Sequence, residues 1–260
     1  MRTIIQYEDD QLIAAYKPAG FAVQTARVGQ ADMVSELKNY LKGGTLGVVH
    51  RLDQPVEGLL VFGKTKAATG ALSKQLTDGT LNKHYYAVVC GSPPAPQGEL
   101  TDYLRKTADN RAEIVDVETA PGKSPQPSGS PQQIKSPQPG GSPQRDHVAR
   151  KAVLRYHLLE SQGELSLMDV HIQTGRFHQI RAQMAHAGIP LLGDLKYGTE
   201  HTRRISEELG MRSVALCACE LELTHPVKGE RMRFQVIPKG RIFEIFESIR
   251  GLSGSEISAH

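Results

Sequence analysis

Cysteine and net charge are both scarce in this sequence. Its three cysteines, Cys90, Cys217 and Cys219, are too few and too oddly numbered to form a disulfide framework, which indicates a reducing compartment. Lysine and arginine together number 31 against 28 acidic residues, a formal charge of +3. A charge this small excludes a protein that coats nucleic acid, which would carry a strong basic excess, but it permits an anionic partner.

Long apolar segments are also missing. The N-terminal stretch MRTIIQYEDD reaches acidic side chains before an apolar run long enough for a signal peptide, and no uncharged run of about 18 apolar residues follows. At 260 residues, with 39% hydrophobic and 23% charged residues, the chain has the length and composition of a soluble globular protein. We therefore expect a cytoplasmic monomer that has no contact with a membrane.

Common catalytic motifs are absent too. The sequence contains no HExxH or CxxC pair, no G-x-S-x-G nucleophile turn and no glycine loop of the kind that cradles phosphate. Polar residues cluster instead in HRLD near position 50 and between Gly175 and Asp194. A metal-dependent hydrolase could use the ligand types found there, although their spacing matches no metal motif strongly. These candidate ligands are His50, Asp53, His178, His186 and Asp194.

The pattern of apolar residues predicts many short strands and a few helices. Alternation or short apolar runs predict strands within 3–15, at 48–49 and within GLLVFGKT, HYYAVVCG, KAVLRYHLLE, LSLMDVHIQ, ALCACELELTHP and RMRFQVI. Helical spacing predicts helices over 31–41, in KAATGALSKQL, in TGRFHQIRAQMAHAG and around IFEIFESI. Because strands and helices do not alternate strictly, we predict an α+β fold on a mostly antiparallel sheet.

Two local placements follow from the same patterns. Pro18 and Gly20 mark a loop, which should carry Lys17. In TGRFHQIRAQMAHAG the residues at helical spacing begin with Phe177, and Arg181 should lie at the edge of the buried stripe.

Between Gly122 and Arg145 the composition changes abruptly to serine, proline, glutamine and glycine. The triplet SPQ occurs there four times with a period of six residues. No apolar residue repeats with it, so the segment offers little to bury, and its prolines lack backbone donors. We expect residues 122–145 to be a low-complexity disordered insertion, and residues 1–260 otherwise to form a single domain.

An apolar setting surrounds the first polar cluster. The stretch VVHRLDQPVEGLLVFGKT, which begins at Val48, places three ionisable residues within four positions between two apolar runs. A charge in such a setting must be paired, neutralised or used. The lone carboxylate of this cluster belongs to Asp53, and arginines elsewhere in the sequence could hold it ionised.

This stretch resembles the signature of the RluA-type family of RNA pseudouridine synthases. Further blocks resemble that family in the expected order: KPAGFAV at Lys17, KHYYAVVCG at Lys83, TGRFHQIRAQMAHAGIPLLGDLKYG at Thr174 and THPVKGERMRF at Thr224. A single HRLD would be a weak signal, whereas this ordered set spans nearly the whole chain except the SPQ segment. The resemblance implies the pseudouridine synthase catalytic fold, a mostly antiparallel mixed sheet with flanking helices.

The resemblance also implies a reaction, the isomerisation of uridine to pseudouridine within ribosomal or transfer RNA. The N1 glycosidic bond breaks, the uracil turns, and C5 rejoins the ribose, without a metal or an organic cofactor. Asp53 corresponds to the catalytic aspartate of HRLD and would act as a nucleophile or a base at the ribose. Tyr85 would stack on the target base, and Arg181 of HQIR would pair with Asp53 and keep it charged.

RNA contacts are expected from three basic residues. Arg51 resembles a family residue that fills the space left by a flipped nucleotide, and we expect Lys17 and Arg176 to contact RNA as well. Tyr85 and Tyr86 alternate along a predicted strand, so only one of them can face the site. His50 and His178 are expected to be structural hydrogen-bonding residues, because the reaction requires neither of them.

The sequence departs from the family pattern in two places beside the site. Val56 and Glu57 stand where many members carry Thr-Ser, and Phe177 stands where threonine is common, so we expect a different RNA preference. The chain also begins directly with the catalytic pattern, so we expect no separate N-terminal RNA-binding domain and RNA binding through the catalytic face. A catalytically silent RNA-binding protein or RNA chaperone with the same fold is an alternative that the sequence leaves open.

Overall fold

A computed structural model describes residues 1–27, 29–116 and 148–254. The insertion expected at 122–145 lies outside these ranges. Within them, eleven strands form one sheet. The strands are β1 (Ile4–Glu8), β2 (Leu12–Lys17), β3 (Gly47–Val48), β4 (Glu57–Gly63), β5 (Asn82–Cys90), β6 (Gln97–Lys106), β7 (Ala112–Val115), β8 (Arg150–Gln162), β9 (Leu165–Ile172), β10 (Leu216–Thr224) and β11 (Arg231–Gln235). The helices are α1 (Met33–Tyr40), α2 (Lys66–Asp78), α3 (Gln179–His186), α4 (Glu200–Glu208) and α5 (Glu247–Arg250), with 3₁₀ turns at Arg241–Ile245 and Gly251–Gly254.

The sheet is mixed but mostly antiparallel. Its strand order is β1-β2-β4-β10-β5-β9-β8-β6-β7, with β11 paired to β10 and β3 paired to β4. The pairing of β4 with β10 is parallel, and the other pairings among the described strands are antiparallel. Gly58 lies in the parallel pairing with a φ of +124°, where an added Cβ would come within 2.4 Å of the backbone of Ala218. The predicted α+β class is confirmed.

Capping residues define the ends of the first two helices. At the start of α1 the Asp32 carboxylate accepts the N–H of Ser35, and at the start of α2 the Thr65 hydroxyl accepts the N–H of Ala68. Helix α2 ends at Gly79, which adopts a left-handed conformation that residues with a side chain rarely adopt. Both helices were predicted. No helix within the described residues is long and apolar enough to cross a membrane.

The two faces of the sheet carry separate apolar clusters. Tyr85 of β5 packs in a cluster that includes Ile180 of α3, whereas Tyr86 packs against a cluster that includes Cys217 and Cys219. The predicted alternation of the two tyrosines is therefore confirmed. Helix α3 covers the Tyr85 face, so the polar residues of HQIR are brought to that side of the sheet.

Several local predictions were wrong. Lys17 does not lie in a loop: it is the last residue of β2, pairs with Gly58 of β4 and has no exposed surface. Phe177 does not begin a helix, since α3 starts at Gln179, and its side chain is 38% exposed. Arg181 is buried instead of lying at the edge of a stripe.

Two strands were also missed, and one helix was predicted too long. The pair β6 and β7 was not predicted because its sequence, rich in charged and hydroxyl side chains, alternates only weakly. The closing helix around IFEIFESI is a 3₁₀ turn followed by the short helix α5. Pairing with β8 supplies the hydrogen bonds that hold β6 in place.

Candidate active site

The HRLD sequence forms the loop between β3 and β4. Leu52 and Val56 are buried in the apolar cluster beneath the loop, whereas Arg51 is exposed and Asp53 is partly buried. The apolar side chains hold the loop against the core, and the two charged side chains remain nearer to solvent. This arrangement explains why ionisable residues interrupt an apolar tract.

Lys17 fastens this loop to the end of β2. Its ammonium group donates hydrogen bonds to the carbonyl oxygens of Pro18, Phe21 and Gln54 at 3.1, 2.6 and 3.1 Å. Burial lowers the pKa of Lys17 to about 7, an effect that the negative charges of nearby carboxylates oppose. The expected RNA contact of Lys17 does not fit this environment, because the side chain has no exposed surface and its three donors are occupied.

Arg181 lies in the first turn of α3 and bridges two carboxylates. Its Nε and Nη2 donate to Asp194 at 2.7 and 2.8 Å, and its Nη1 donates to Oδ2 of Asp53 at 3.1 Å. The expected contact between Arg181 and Asp53 is therefore present. Burial alone would lower the pKa of Arg181, but the hydrogen bonds and charges of Asp194, followed by those of Asp53, raise it.

The two carboxylates bound by Arg181 have different surroundings. The Asp194 side chain is fully buried, and its Oδ1 also accepts the backbone N–H groups of Lys196 and Tyr197. Burial alone would raise the pKa of Asp194, but these donors, led by Arg181, lower it. Asp53 keeps 23% of its side chain exposed, and its Oδ1 has no hydrogen-bond partner among the described residues. Asp53 is therefore the carboxylate that can meet a substrate.

His178 lies on the other side of Asp53. Its Nε2 is 3.5 Å from Oδ2 of Asp53, and its Nδ1 is 2.8 Å from the hydroxyl of Tyr197. Burial lowers the pKa of His178 to about 4, so the imidazole is neutral at pH 7. Because the Tyr197 hydroxyl accepts the N–H of Ala112 at 2.6 Å, its own proton is available for Nδ1. This network favours the tautomer in which the Nε2 proton faces Asp53.

Tyr85 lies in the apolar cluster that also holds Leu52 of the HRLD loop. It is 6% exposed, and its hydroxyl has no hydrogen-bond partner among the residues described. Burial, followed by the negative charge of Asp53, raises the pKa of Tyr85, so its phenol is neutral at pH 7. Asp53, Tyr85 and Arg181 are thus brought together on one face of the sheet.

The remaining two basic candidates lie at the surface of this face. Arg51 is exposed and has no ion pair or hydrogen bond within the described part of the chain. Arg176 is half-buried in the turn before α3, and its Nε donates to the carbonyl oxygen of Lys151 at 2.9 Å. Burial, followed by the positive charge of Arg150, lowers the pKa of Arg176. Both side chains can therefore offer positive charge near the site.

The five candidate metal ligands are not arranged as a metal site. Nε2 of His50 accepts the N–H of Val61 at 3.3 Å, and burial, followed by the charge of Lys83, lowers the pKa of His50 to about 3. His186 pairs with Asp102 at 3.1 Å. Among the described residues, no group of three or more histidine, cysteine or acidic side chains could hold a metal ion. The metal-dependent hydrolase therefore lacks a ligand set there.

Glu57, one of the departures from the family pattern, has a structural contact. Its carboxylate accepts the backbone N–H groups of Lys239 and Gly240 at 3.1 Å each and the hydroxyl of Tyr16. These bonds tie the start of β4 to the segment that follows β11. The Glu57 carboxylate next to HRLD therefore has its hydrogen-bond donors within the protein.

Two residues of the site were not identified from the sequence in their present roles. Asp194 was considered only as a possible metal ligand, and Tyr197 was not considered. Both belong to GDLKYG, which directly follows the apolar run IPLL. A polar side chain that follows a buried run must find partners, and this signal could have marked both residues.

Comparisons with known proteins identify the family of the chain. The sequence profile of the RNA pseudouridylate synthase family matches residues 11–186. The chain is 29% identical to ribosomal large subunit pseudouridine synthase D of Zymomonas mobilis, over 88% of this chain and 67% of that protein. It is 31% identical to tRNA pseudouridine synthase C of Pectobacterium carotovorum, over 89% of this chain and 58% of that protein. The chain thus spans only part of the length of both relatives.

The fold has a counterpart among solved structures. Human RNA pseudouridylate synthase domain containing 4 superposes with a TM-score of 0.67 over 95% of this chain and 93% of that one, at 20% identity. At that identity the likeness concerns the fold. The profile match and the named relatives, together with the ordered sequence blocks, show that the chain belongs to the RluA-type family of RNA pseudouridine synthases.

Proposed function

We propose that this protein isomerises specific uridines to pseudouridine in structured RNA, either ribosomal or transfer RNA. The observation that carries the proposal is the pairing of Asp53 with Arg181, which holds a partly exposed carboxylate by a guanidinium that is itself anchored by Asp194. The names of the relatives supply the class of RNA, since one acts on the large ribosomal subunit and the other on transfer RNA.

The reaction rearranges bonds without changing the composition of the RNA. The bond between C1′ and N1 breaks, a bond between C1′ and C5 forms, a proton leaves C5, and a proton is taken up at N1. Such a change needs a group that acts at the ribose and a route for protons, and it transfers no electrons to a partner. We assign the action at the ribose to Asp53, as nucleophile or base.

The neighbouring residues are assigned supporting roles. Arg181 orients Asp53 through its hydrogen bond, and the neutral phenol of Tyr85 stacks on the target base and assists proton transfer. Arg51 occupies the space that the flipped nucleotide leaves, and Arg176 contacts phosphate. Flipping a nucleotide costs a few kcal/mol, and stacking on an aromatic side chain contributes about 1–3 kcal/mol. Phosphate contacts supply the rest of the binding free energy that offsets flipping.

The proposal is tested by Asp53→Ala. We expect pseudouridine formation to fall at least about a thousandfold, because the group that acts at the ribose is lost. Affinity for RNA should stay within about tenfold, because one carboxylate contributes little to backbone binding. The assay is the release of tritium from C5 of uridine in cellular RNA, and Asp78→Ala, at an exposed position at the end of α2, is the matched control.

Two outcomes would contradict the proposal. Turnover retained in Asp53→Ala would end the assigned mechanism. RNA binding by the wild-type protein without any tritium release would favour the catalytically silent RNA-binding protein instead. Turnover that stays unchanged in EDTA would, in addition, dismiss the metal-dependent hydrolase.

A further inference from the structure

Phe177 presents an aromatic ring at the surface beside the candidate active site. Its side chain is 38% exposed, in the turn that precedes α3. One face of its ring stacks on His178, with centroids 3.8 Å apart and ring planes 21° apart. His178 is itself 9% exposed and hydrogen-bonded to Tyr197, so the exposed ring has a fixed support.

The position of this ring relates it directly to the carboxylate of Asp53. His178 stacks on Phe177 and places its Nε2 3.5 Å from Oδ2 of Asp53. Only one side chain therefore separates the exposed ring from the carboxylate. His178 has a φ of +51°, an uncommon backbone conformation for a residue other than glycine. This conformation occurs where the adjacent rings of Phe177 and His178 stack on each other.

One cation lies over the ring, and a second precedes it in the chain. Nζ of Lys106 lies over it, 5.1 Å from the ring centroid. Arg176 precedes it in the chain and contacts the backbone of Lys151. An exposed aromatic face with flanking cations is the combination that binds single-stranded nucleic acid, because the ring stacks on a base and the cations contact the phosphates.

Base flipping creates a need for such a ring. When a target uridine leaves its stack, the neighbouring bases lose a stacking partner. An aromatic side chain beside the site restores one of these contacts. The cation–π contact of Lys106 does not prevent this, because at an exposed site it is weaker than base stacking.

We propose that Phe177 is a stacking platform for the unpaired nucleobase next to the target uridine, and that Lys106 moves from the ring to the adjacent phosphate. Purines bind the platform more tightly than pyrimidines because they offer a larger aromatic surface. This inference rests on the proposed function, which it extends to the sequence context of the modified uridine.

The absence of tryptophan from the chain allows a direct test. Phe177→Trp keeps an aromatic ring at the platform and makes it the only indole in the protein. The probes are a short single-stranded RNA of uridine alone and the same RNA with adenosine next to one uridine. We expect both to quench the indole fluorescence, with tighter binding of the adenosine-containing RNA. Tyr40→Trp, at a 50% exposed position on α1, is the matched control and should not be quenched.

A second variant separates stacking from apolar contact. Phe177→Leu keeps an apolar side chain but removes the ring, so we expect KM for cellular RNA to rise about tenfold while kcat stays nearly unchanged. Phe177→Tyr should restore the wild-type KM. Equal quenching of the indoles at positions 177 and 40, or an unchanged KM in Phe177→Leu, would overturn the platform.

The platform and the proposed function fail in different ways. If the wild-type protein releases no tritium from RNA, the function is wrong, whereas selective quenching at position 177 would still show that Phe177 stacks on an unpaired base. If tritium is released while quenching is not selective and KM does not change, the function stands and the platform is wrong.

Discussion

Arg181 faces a different carboxylate on each of its two sides. On one side the Asp194 side chain has no exposed surface and accepts two bonds from the guanidinium and two from backbone N–H groups. On the other side Asp53 accepts one guanidinium bond, at 3.1 Å, and keeps 23% of its side chain exposed. The same arginine therefore holds one carboxylate that is fully satisfied and one that is not.

The difference separates anchoring from reactivity. A buried carboxylate with four donors has no capacity left for a substrate, but it fixes the position of the arginine. A carboxylate that accepts one guanidinium bond, and whose other oxygen has no partner among the described residues, can act on a ligand. We infer that Asp194 provides the rigidity that allows Asp53 to remain incompletely coordinated.

The largest effect on stability is expected for the anchor. Asp194→Ala leaves the buried guanidinium of Arg181 without its bidentate partner, so we expect the free energy of unfolding to fall by about 3–5 kcal/mol. Denaturant unfolding followed by circular dichroism measures it. Glu113→Ala, at a carboxylate that pairs with Arg105 while both side chains remain exposed, is the control and should change the stability far less. A loss below about 1 kcal/mol in Asp194→Ala would contradict the anchoring role.

The next largest effect on stability is expected from acid, which should lower the free energy of unfolding through His178, the neighbour of Asp53. The folded chain holds the pKa of His178 at about 4, below the ordinary value of 6.5, because the ring is buried. Between these values the unfolded chain binds a proton that the folded chain does not, so the free energy of unfolding falls as the pH falls. From pH 6.5 to about 4.5 the loss due to His178 should be about 2 kcal/mol.

His178→Gln isolates this contribution. The buried ring of His50, whose pKa is lowered to about 3, adds the same slope to both proteins. The raised pKa of His84, caused first by its hydrogen bond to Asp169, adds the opposite slope to both. The difference between wild type and variant therefore reports His178 alone. Identical dependence on pH in the two proteins would show that this histidine is not held neutral by the fold.

The smallest effect on stability is expected at the reactive carboxylate. Asp53→Asn should change the free energy of unfolding by less than about 1 kcal/mol, because the pair with Arg181 is partly exposed and the amide oxygen can still accept one bond. A double-mutant cycle with Arg181→Ala tests the contact. If the two changes add within about 0.5 kcal/mol, the residues do not interact energetically, whatever their distance.

Arg181→Lys sharpens the same comparison. Lysine keeps the positive charge but lacks the planar fork that binds Asp194 with two parallel bonds. We expect it to recover only part of the stability that Arg181→Ala loses. The stability that lysine recovers measures the contribution of the positive charge, and the stability that stays lost measures the contribution of the two parallel bonds to Asp194.

Local sequence signals predicted much of the scaffold. Apolar residues at helical spacing predicted α1 and α2, because the period of a helix acts within one turn and depends on few neighbours. The alternation of Tyr85 and Tyr86 depends only on the period of a strand. The ordered blocks around HRLD and HQIR also indicated the family and the pairing of Arg181 with Asp53.

Other features depended on contacts distant in sequence. Lys17 looked like a loop residue because Pro18 follows it, but three carbonyl oxygens, one of them from Gln54, bury and satisfy its ammonium. The weakly patterned β6 exists because β8, across the insertion, supplies its hydrogen bonds.

By itself the sequence determined the α+β class and the family, because periodicity and motifs are local properties of the chain. Only the tertiary structure decided which carboxylate is the anchor and which remains accessible. Asp53 and Asp194 are chemically identical, and their difference arises from burial and from donors brought together by α3 and the turn after it. The exposure of Phe177 was also decided by the tertiary structure, since helical spacing alone had placed this side chain in the core.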